Sequence, residues 1–117
     1  MGKVHRFHSN GRLSEIAIYN GIIHLAGQVP EKTTTETAYE QTKEVLGLID
    51  QLLSEAGSKK AQIIHAQIYL ADMDYYDEMN KAWDEWVDKE NPPTRATVEA
   101  RLAHPDWKVE IVLTAAA

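Results

Sequence analysis

The sequence predicts an α+β sandwich in which one mixed β-sheet carries both of its α-helices on one face. Three observations favour this class. Two segments have apolar residues at helical spacing, six short segments have strand-like composition, and turn residues separate them in the order β-β-β-α-β-α-β-β. With 117 residues the chain has the size of one domain, so residues 1–117 are expected to form a single unit.

The first three strands follow from short-range patterns. A mixed segment at residues 3–9 is typical of an edge strand, and the turn dipeptide Asn10-Gly11 ends it. Residues 15–19 and 22–29 flank Asn20-Gly21, the dipeptide most typical of a two-residue hairpin. Pro30 lacks the N–H that a sheet ladder needs. We therefore expect a hairpin that ends at Pro30, followed by a polar loop.

The first helix is predicted from apolar residues spaced three and four apart between Ala38 and Leu53. One of the threonines before Glu36 is expected to cap its start, and Gly57 is placed to end it in a left-handed conformation. Residues 62–70 alternate in the manner of a strand inside a sheet.

A second helix follows, capped by Asp72 or Asp74. Its apolar stripe consists of Tyr75 or Tyr76, Met79, Ala82, Trp83, Trp86 and Val87. It is expected to end before Asn91, and strands at residues 94–101 and 107–115 complete the order.

The face of the sheet without helices is predicted to be semi-polar. The residues assigned to it are His65, Gln67, Tyr69, Arg95, Thr97, Glu110, Val112 and Thr114. Such a mixed surface is typical of subunit interfaces, so we expect an oligomer. The alternative is an ordinary antiparallel sheet with one solvated face.

Charge and composition exclude several functions. The net charge is −6 and cysteine is absent. An acidic chain repels phosphates, which argues against general nucleic-acid binding. No apolar segment approaches the roughly 20 residues that cross a bilayer, and the first residues do not resemble an export or lipidation signal. The expectation is a cytoplasmic protein without a membrane or nucleic-acid partner.

Common catalytic and metal motifs are missing. The five histidines have no zinc-site spacing. The acidic run that begins at Asp72 lacks the glycine and terminal glutamate of a calcium loop. No glycine-rich loop begins either helix to cradle a phosphate. No metal site and no cofactor are therefore predicted.

Two charged residues in the last strands suit a small acidic substrate. The guanidinium of Arg95 can bind a carboxylate through two parallel hydrogen bonds, and Glu110 can hold and deprotonate a water. The structural alternative is that Arg95 and Glu110 neutralise one another, or that Arg95 pairs with Glu99 or another neighbour.

Several segments resemble the RidA family, also called the YjgF family. They are LAGQVP at residues 25–30, Ala71-Asp72, MNKAW at 79–83, PPTRATVEARL at 92–102 and KVEI at 108–111. The PPTR strand is the most specific of them. Residues 83–86 and 98–102 look closest to the YoaB-like branch.

The resemblance implies a chorismate-mutase-like α+β fold and homotrimers with sites in the clefts between subunits. It also implies hydrolysis of enamines and imines, such as 2-aminoacrylate and 2-iminopropanoate, to 2-keto acids and ammonia without metal or cofactor. By position, Arg95 would bind the substrate carboxylate and Glu110 would activate water. Gly27 and Thr97 would line the pocket, with Asn80 near its wall.

One segment departs from the family pattern. Studied deaminases of the family carry a tyrosine in a Gly-Pro-Tyr segment, where this chain has Leu13 and Ser14. We expect a retained requirement for the carboxylate with a relaxed or shifted side-chain preference. A rival function is a non-catalytic module that binds a small carboxylate or keto acid. Ribonuclease activity, reported for some members, is disfavoured by the acidic charge and the lack of a histidine pair.

Overall fold

The computed structural model describes residues 2–117 and contains a six-stranded mixed sheet with two α-helices. The strands are β1 (His5–Ser9), β2 (Ser14–Tyr19), β3 (Ile22–Leu25), β4 (Ile63–Leu70), β5 (Thr94–Glu99) and β6 (Val109–Ala116), and the helices are α1 (Ala38–Glu55) and α2 (Tyr76–Trp86). Short 3₁₀ turns at Lys60–Gln62 and Met73–Tyr75 precede β4 and α2. The predicted fold class and element order are confirmed. No helix in residues 2–117 is long and apolar enough to cross a membrane.

The strands lie in the order β1-β2-β3-β6-β4-β5. Every neighbouring pair is antiparallel except β4 and β5, which are parallel and joined through α2. Because a parallel connection needs a crossover, α2 packs back onto the sheet between them. The last two strands, β5 and β6, follow each other in the chain but are separated in the sheet by β4.

The hairpin between β2 and β3 forms as predicted. Asn20 and Gly21 have φ values of 51° and 77°, which are the left-handed conformations that a type I′ turn requires. Strand β3 ends at Leu25 rather than at residue 29. Beyond it, Gln28 alone rejoins the sheet, through a bridge to Ile111.

The core lies between the helices and one face of the sheet. Its most deeply buried side chains include Ile16, Ile23, Ile68, Leu70, Ile111 and Leu113 from the strands and Val45, Leu46, Ile49, Leu53 and Met79 from the helices. Both helices therefore cover the same face, as their apolar stripes predict. The opposite face, which we call the open face, carries no helix.

The helix ends differ in how well their caps were predicted. Thr37 caps α1, since its side chain accepts the Glu40 N–H at 3.2 Å. The expectation of a threonine before Glu36 was therefore wrong. Gly57 has a φ of 77°, and the next N–H, of Ser58, reaches the Leu53 carbonyl at 2.8 Å, which confirms the predicted helix end. Asp72, rather than Asp74, caps the turn that leads into α2.

Gln41 joins α1 to two loops through hydrogen bonds. The apolar spacing that predicts the helix does not predict these hydrogen bonds. The side chain is fully buried. Its Nε2 donates to the carbonyls of Asp106 at 3.0 Å and Thr34 at 3.2 Å, and its Oε1 accepts the Lys108 N–H at 2.8 Å. One amide thus satisfies backbone groups that would otherwise be buried without partners.

Glu44 of α1 holds the loop that follows Pro30. Its carboxylate accepts the N–H groups of Glu31, Lys32 and Thr33 and the Thr33 hydroxyl, at 2.6 to 3.1 Å. Burial raises the pKa of Glu44, but these hydrogen bonds outweigh it, so the pKa lies below its ordinary value. The ionised carboxylate therefore stabilises this loop.

Candidate functional site

The segment after β3 brings Gly27 against Glu110. Gln28 donates its N–H to the Ile111 carbonyl at 2.8 Å and accepts the Ile111 N–H at 3.1 Å, which places Gly27 beside the residue before Ile111 on β6. A Cβ atom on Gly27 would lie 2.1 Å from Glu110 Oε2 and 3.0 Å from its Cδ. Glycine is needed here because any side chain would displace the Glu110 carboxylate, not because of the backbone conformation.

Glu110 projects from the open face, as predicted, directly across from Tyr69 on β4. Both line a cavity of about 310 Å³ together with Arg101, Ala103 and Val112. Burial raises the pKa of Glu110 above the ordinary 4.5. A carboxylate whose proton affinity is raised in this way accepts a proton from water more readily than an exposed one.

Arg95 is held by neutral groups of α2. Its Nη1 donates to Asn80 Oδ1 at 2.7 Å, and its Nη2 donates to the Tyr76 hydroxyl at 3.4 Å. The guanidinium carbon lies 5.3 Å from the centre of the Trp83 ring, within the range of a cation–π contact. Nη1 also donates to Met79 Sδ at 4.0 Å, so three of the five guanidinium donors are engaged and two remain, on Nε and Nη2.

Arg95 makes no ion pair with any residue between 2 and 117. Glu99 instead accepts the backbone N–H of Met73 at 2.9 Å, and Glu110 lies on the other face of the sheet. Within one protomer, an ion pair of Arg95 with Glu99 or Glu110 is therefore wrong, and the neighbours that do pair with Arg95 are neutral. A partly buried cation without a counter-ion is suited to bind an anion.

The predicted face of β5 was also wrong. Arg95 pairs with Ala66 and Thr97 with Ile68, both of which are fully buried on the helix side. Arg95 and Thr97 therefore lie on the helix face, while Ala96 points to the open face. Both faces of this segment are mixed in polarity, and β5 is an edge strand that the helices cover incompletely. Its alternation alone thus left the choice of face undetermined.

Thr97 carries an unsatisfied group on the same face as Arg95. Its Oγ1 is the one buried side-chain polar atom within residues 2–117 that has no hydrogen-bond partner. Leaving a buried hydroxyl unpaired costs about 1–3 kcal/mol. A ligand that hydrogen-bonds to Thr97 would recover part of that cost.

The five predicted site residues thus form two groups. Gly27 and Glu110 meet on the open face, whereas Asn80, Arg95 and Thr97 lie on the helix face at the β5 edge. The structure brings together the members of each group but not the two groups. One protomer alone therefore does not unite the guanidinium with the carboxylate.

Two residues that contact Arg95 had been assigned only to an apolar stripe. Tyr76, Asn80 and Trp83 occupy positions i, i+4 and i+7 of α2, so they share one side of the helix. That spacing is visible in the sequence, but nothing local indicates that Arg95 packs against it. Among the described side chains, no group of three His, Asp or Glu residues is arranged to hold a metal ion.

Comparison with known sequences covers almost the whole chain. The family model described as endoribonuclease L-PSP matches residues 3–117. A RutC family protein of Haemophilus influenzae is 60% identical over 112 residues, which cover 96% of this chain and 97% of the relative. The RutC family protein YoaB of Escherichia coli K12 is 42% identical over 111 residues, covering 95% and 96%.

Solved structures agree with the sequence comparison. A member of the YjgF protein family from Neisseria meningitidis superposes with a TM-score of 0.94 at 50% identity, covering 97% of this chain and 94% of that one. The Rid family protein YyfA from Yersinia pestis gives a TM-score of 0.84 at 27% identity, covering 93% and 90%. The similarity spans the strands and helices that carry both groups of site residues.

Proposed function

The chain belongs to the endoribonuclease L-PSP family, which includes the YjgF, RidA and RutC proteins, and from that membership we propose that it hydrolyses reactive enamines and imines of amino acids. The substrates are of the 2-aminoacrylate and 2-iminopropanoate type, and the products are a 2-keto acid and ammonia. The observation that carries the proposal is Arg95, a partly buried guanidinium that lacks a carboxylate partner within residues 2–117.

Arg95 binds the substrate carboxylate. Its two free donors, on Nε and Nη2, allow two parallel hydrogen bonds to the two carboxylate oxygens, a geometry that also orients the attached carbon. The Asn80 amide and the Trp83 ring hold the guanidinium in place before the ligand arrives, which reduces the ordering cost of binding. The unpaired hydroxyl of Thr97 lies on the same face and offers the ligand a further hydrogen bond.

Glu110 activates the attacking water. The water oxygen bonds to the imine carbon while its proton passes to the Glu110 carboxylate, and the electron pair of the C=N bond moves to nitrogen. The protonated Glu110 then returns this proton to nitrogen, which gives a carbinolamine. Glu110 next takes the proton of the carbinolamine hydroxyl and passes it to the amino nitrogen, so that the C–N bond breaks with its electron pair on nitrogen, the C=O bond of the keto acid forms and ammonia leaves. The raised pKa of Glu110 suits these transfers. Gly27 leaves the space in which this carboxylate sits.

A second copy of the chain unites the two groups. Glu110 and Arg95 project from opposite faces of the sheet, so a complete site needs the open face of one subunit against the β5 edge of another. The open face is partly apolar, with Val98 and Tyr19 among its exposed residues, and such a surface favours association. We propose a homotrimer with one site in each cleft between subunits.

Direct measurement of hydrolysis tests the proposal. Imines of alanine, leucine, methionine and phenylalanine are generated by an amino-acid oxidase, and keto-acid release is followed with and without the protein. We expect acceleration of carboxylate-bearing imines and a loss of about 30-fold or more in kcat/KM for Arg95→Ala. Arg12→Ala, which removes an exposed arginine in the β1–β2 turn, is the matched control and keeps full activity.

Two results would contradict the proposal. Equal turnover of imines with and without a carboxylate would remove Arg95 from its assigned role. No acceleration with any of the four imines would exclude the deaminase function. A preference for the larger imines would agree with the altered segment at Leu13, whereas strict preference for the alanine imine would show that this segment matters little.

The second candidate is a non-catalytic module that binds a keto acid. It is favoured by the separation of the two groups, because Arg95, Asn80 and Thr97 lie on one face of the sheet and offer donors to a carboxylate without Glu110. Binding of pyruvate in calorimetry without any imine turnover would support this function over hydrolysis.

A further inference from the structure

We infer that the Tyr76 hydroxyl donates a hydrogen bond to the carboxylate that Arg95 binds, which makes Tyr76 a specificity-determining residue. This inference rests on the proposed function. Tyr76 is the first residue of α2 and lies one turn before Asn80. Its hydroxyl is 3.4 Å from Arg95 Nη2, so a ligand atom bound to that nitrogen comes within reach of the phenol.

The hydroxyl has a proton available for a ligand. Its oxygen accepts from Arg95 Nη2, and an acceptor oxygen keeps its own O–H free to donate elsewhere. Tyr76 is 39% exposed, so a small ligand can approach it. A carboxylate oxygen that accepts from both Nη2 and the phenol would form two charge-assisted hydrogen bonds, which are the stronger kind.

A purely structural role for Tyr76 explains less of the geometry. The contact with Arg95 is at the long end of the hydrogen-bond range, whereas Asn80 already holds the same guanidinium at 2.7 Å. Tyr76 therefore adds little to the orientation of Arg95 in the absence of a ligand. Its hydroxyl is better placed to contact what Arg95 binds than to fix Arg95 itself.

The test compares Tyr76→Phe with Tyr75→Phe, which removes a neighbouring phenol that packs against the core. Binding of pyruvate and of its neutral amide, pyruvamide, is measured by calorimetry or NMR titration, and kcat/KM is measured for the alanine imine. We expect Tyr76→Phe to weaken pyruvate binding about 10-fold and to lower kcat/KM similarly, with a smaller effect on pyruvamide. Tyr75→Phe leaves all three unchanged.

Repeating Tyr76→Phe in an Arg95→Lys background distinguishes a direct contact between Tyr76 and the ligand from an effect of Tyr76 on the orientation of residue 95. A hydroxyl that contacts the ligand still contributes in that background. Loss of its effect there would show that Tyr76 acts only through Arg95 and would overturn the inference.

Unchanged pyruvate binding in Tyr76→Phe would also overturn the inference while leaving the proposed function intact, since that depends on the Arg95→Ala result. A wild-type protein that neither binds pyruvate nor hydrolyses imines would overturn both.

Discussion

At the residue scale, the environment of Glu110 predicts the pH dependence of the reaction. Burial raises its pKa above the ordinary 4.5, and in the proposed hydrolysis Glu110 acts as a base only when it is ionised. We expect kcat/KM to fall as the pH decreases through this raised pKa, so that the acid limb lies at a higher pH than an exposed glutamate would give.

A pH–rate profile measures this limb. Glu110→Gln removes it and lowers the rate by about 10²–10⁴-fold, whereas Glu55→Gln, at the exposed end of α1, keeps it. An acid limb at or below the ordinary carboxyl pKa would show that another group is the base.

The chemistry of individual residues was easier to predict than their neighbours. A guanidinium and a carboxylate in the last strands suggested carboxylate binding and water activation from residue type alone. The contact of Gly27 with Glu110 depends on a bridge between Gln28 and Ile111, which are far apart in the chain. No local sequence pattern predicts such a contact, and none predicts the contact between Arg95 and Tyr76.

At the element scale, one buried amide side chain on α1 stabilises the packing of this helix against two loops. Gln41 makes three hydrogen bonds to backbone groups of the loops around residues 34 and 106–108. Gln41→Leu leaves those groups buried and unpaired, so we expect the free energy of unfolding to fall by about 3 kcal/mol. Urea denaturation measures the change.

Gln51→Leu is the control for this prediction, because Gln51 lies on the exposed side of the same helix. It is expected to change stability by no more than about 0.5 kcal/mol. Equal stability of the two variants would mean that water replaces the lost Gln41 contacts.

The sequence predicted the features that depend on residues close together in the chain, but not those that depend on contacts between distant segments. The hairpin at Asn20-Gly21 and the end of α1 at Gly57 follow from backbone conformations that these residues favour. The face that β5 presents depends on its parallel register with β4, which is set by the α2 crossover. Gln41 resembles any polar position of an amphipathic helix until the loops that bury it are in place.

At the scale of the whole molecule, the separation of Arg95 from Glu110 predicts complementation between impaired variants. Arg95→Ala and Glu110→Gln are each expected to keep no more than about 3% of wild-type activity. When equal amounts are unfolded and refolded together, about one quarter of the sites between subunits combine an intact guanidinium with an intact carboxylate. We expect that fraction of wild-type activity to return.

Light scattering accompanies the measurement and should give a mass of about 40 kDa, three times the 13.2 kDa of the chain. Variants refolded separately and then mixed without exchange of subunits serve as the control and stay at that low activity. Mixed oligomers that form without recovered activity would show that the two groups do not share a site, and a monomer at micromolar concentration would exclude the trimer.

In the proposed homotrimer, the parallel pairing of β5 with β4 also links the catalytic rate to the amount of protein in the cell, because it places Arg95 on the face of the sheet opposite Glu110. Each proposed site contains residues from two copies of the chain, so protein below the concentration needed for association would be inactive. Above that concentration, the total rate of hydrolysis would rise more steeply than the protein concentration until all subunits are assembled. Low-level expression would then leave the imine pool almost untouched, and a modest increase in synthesis would suffice to begin its clearance.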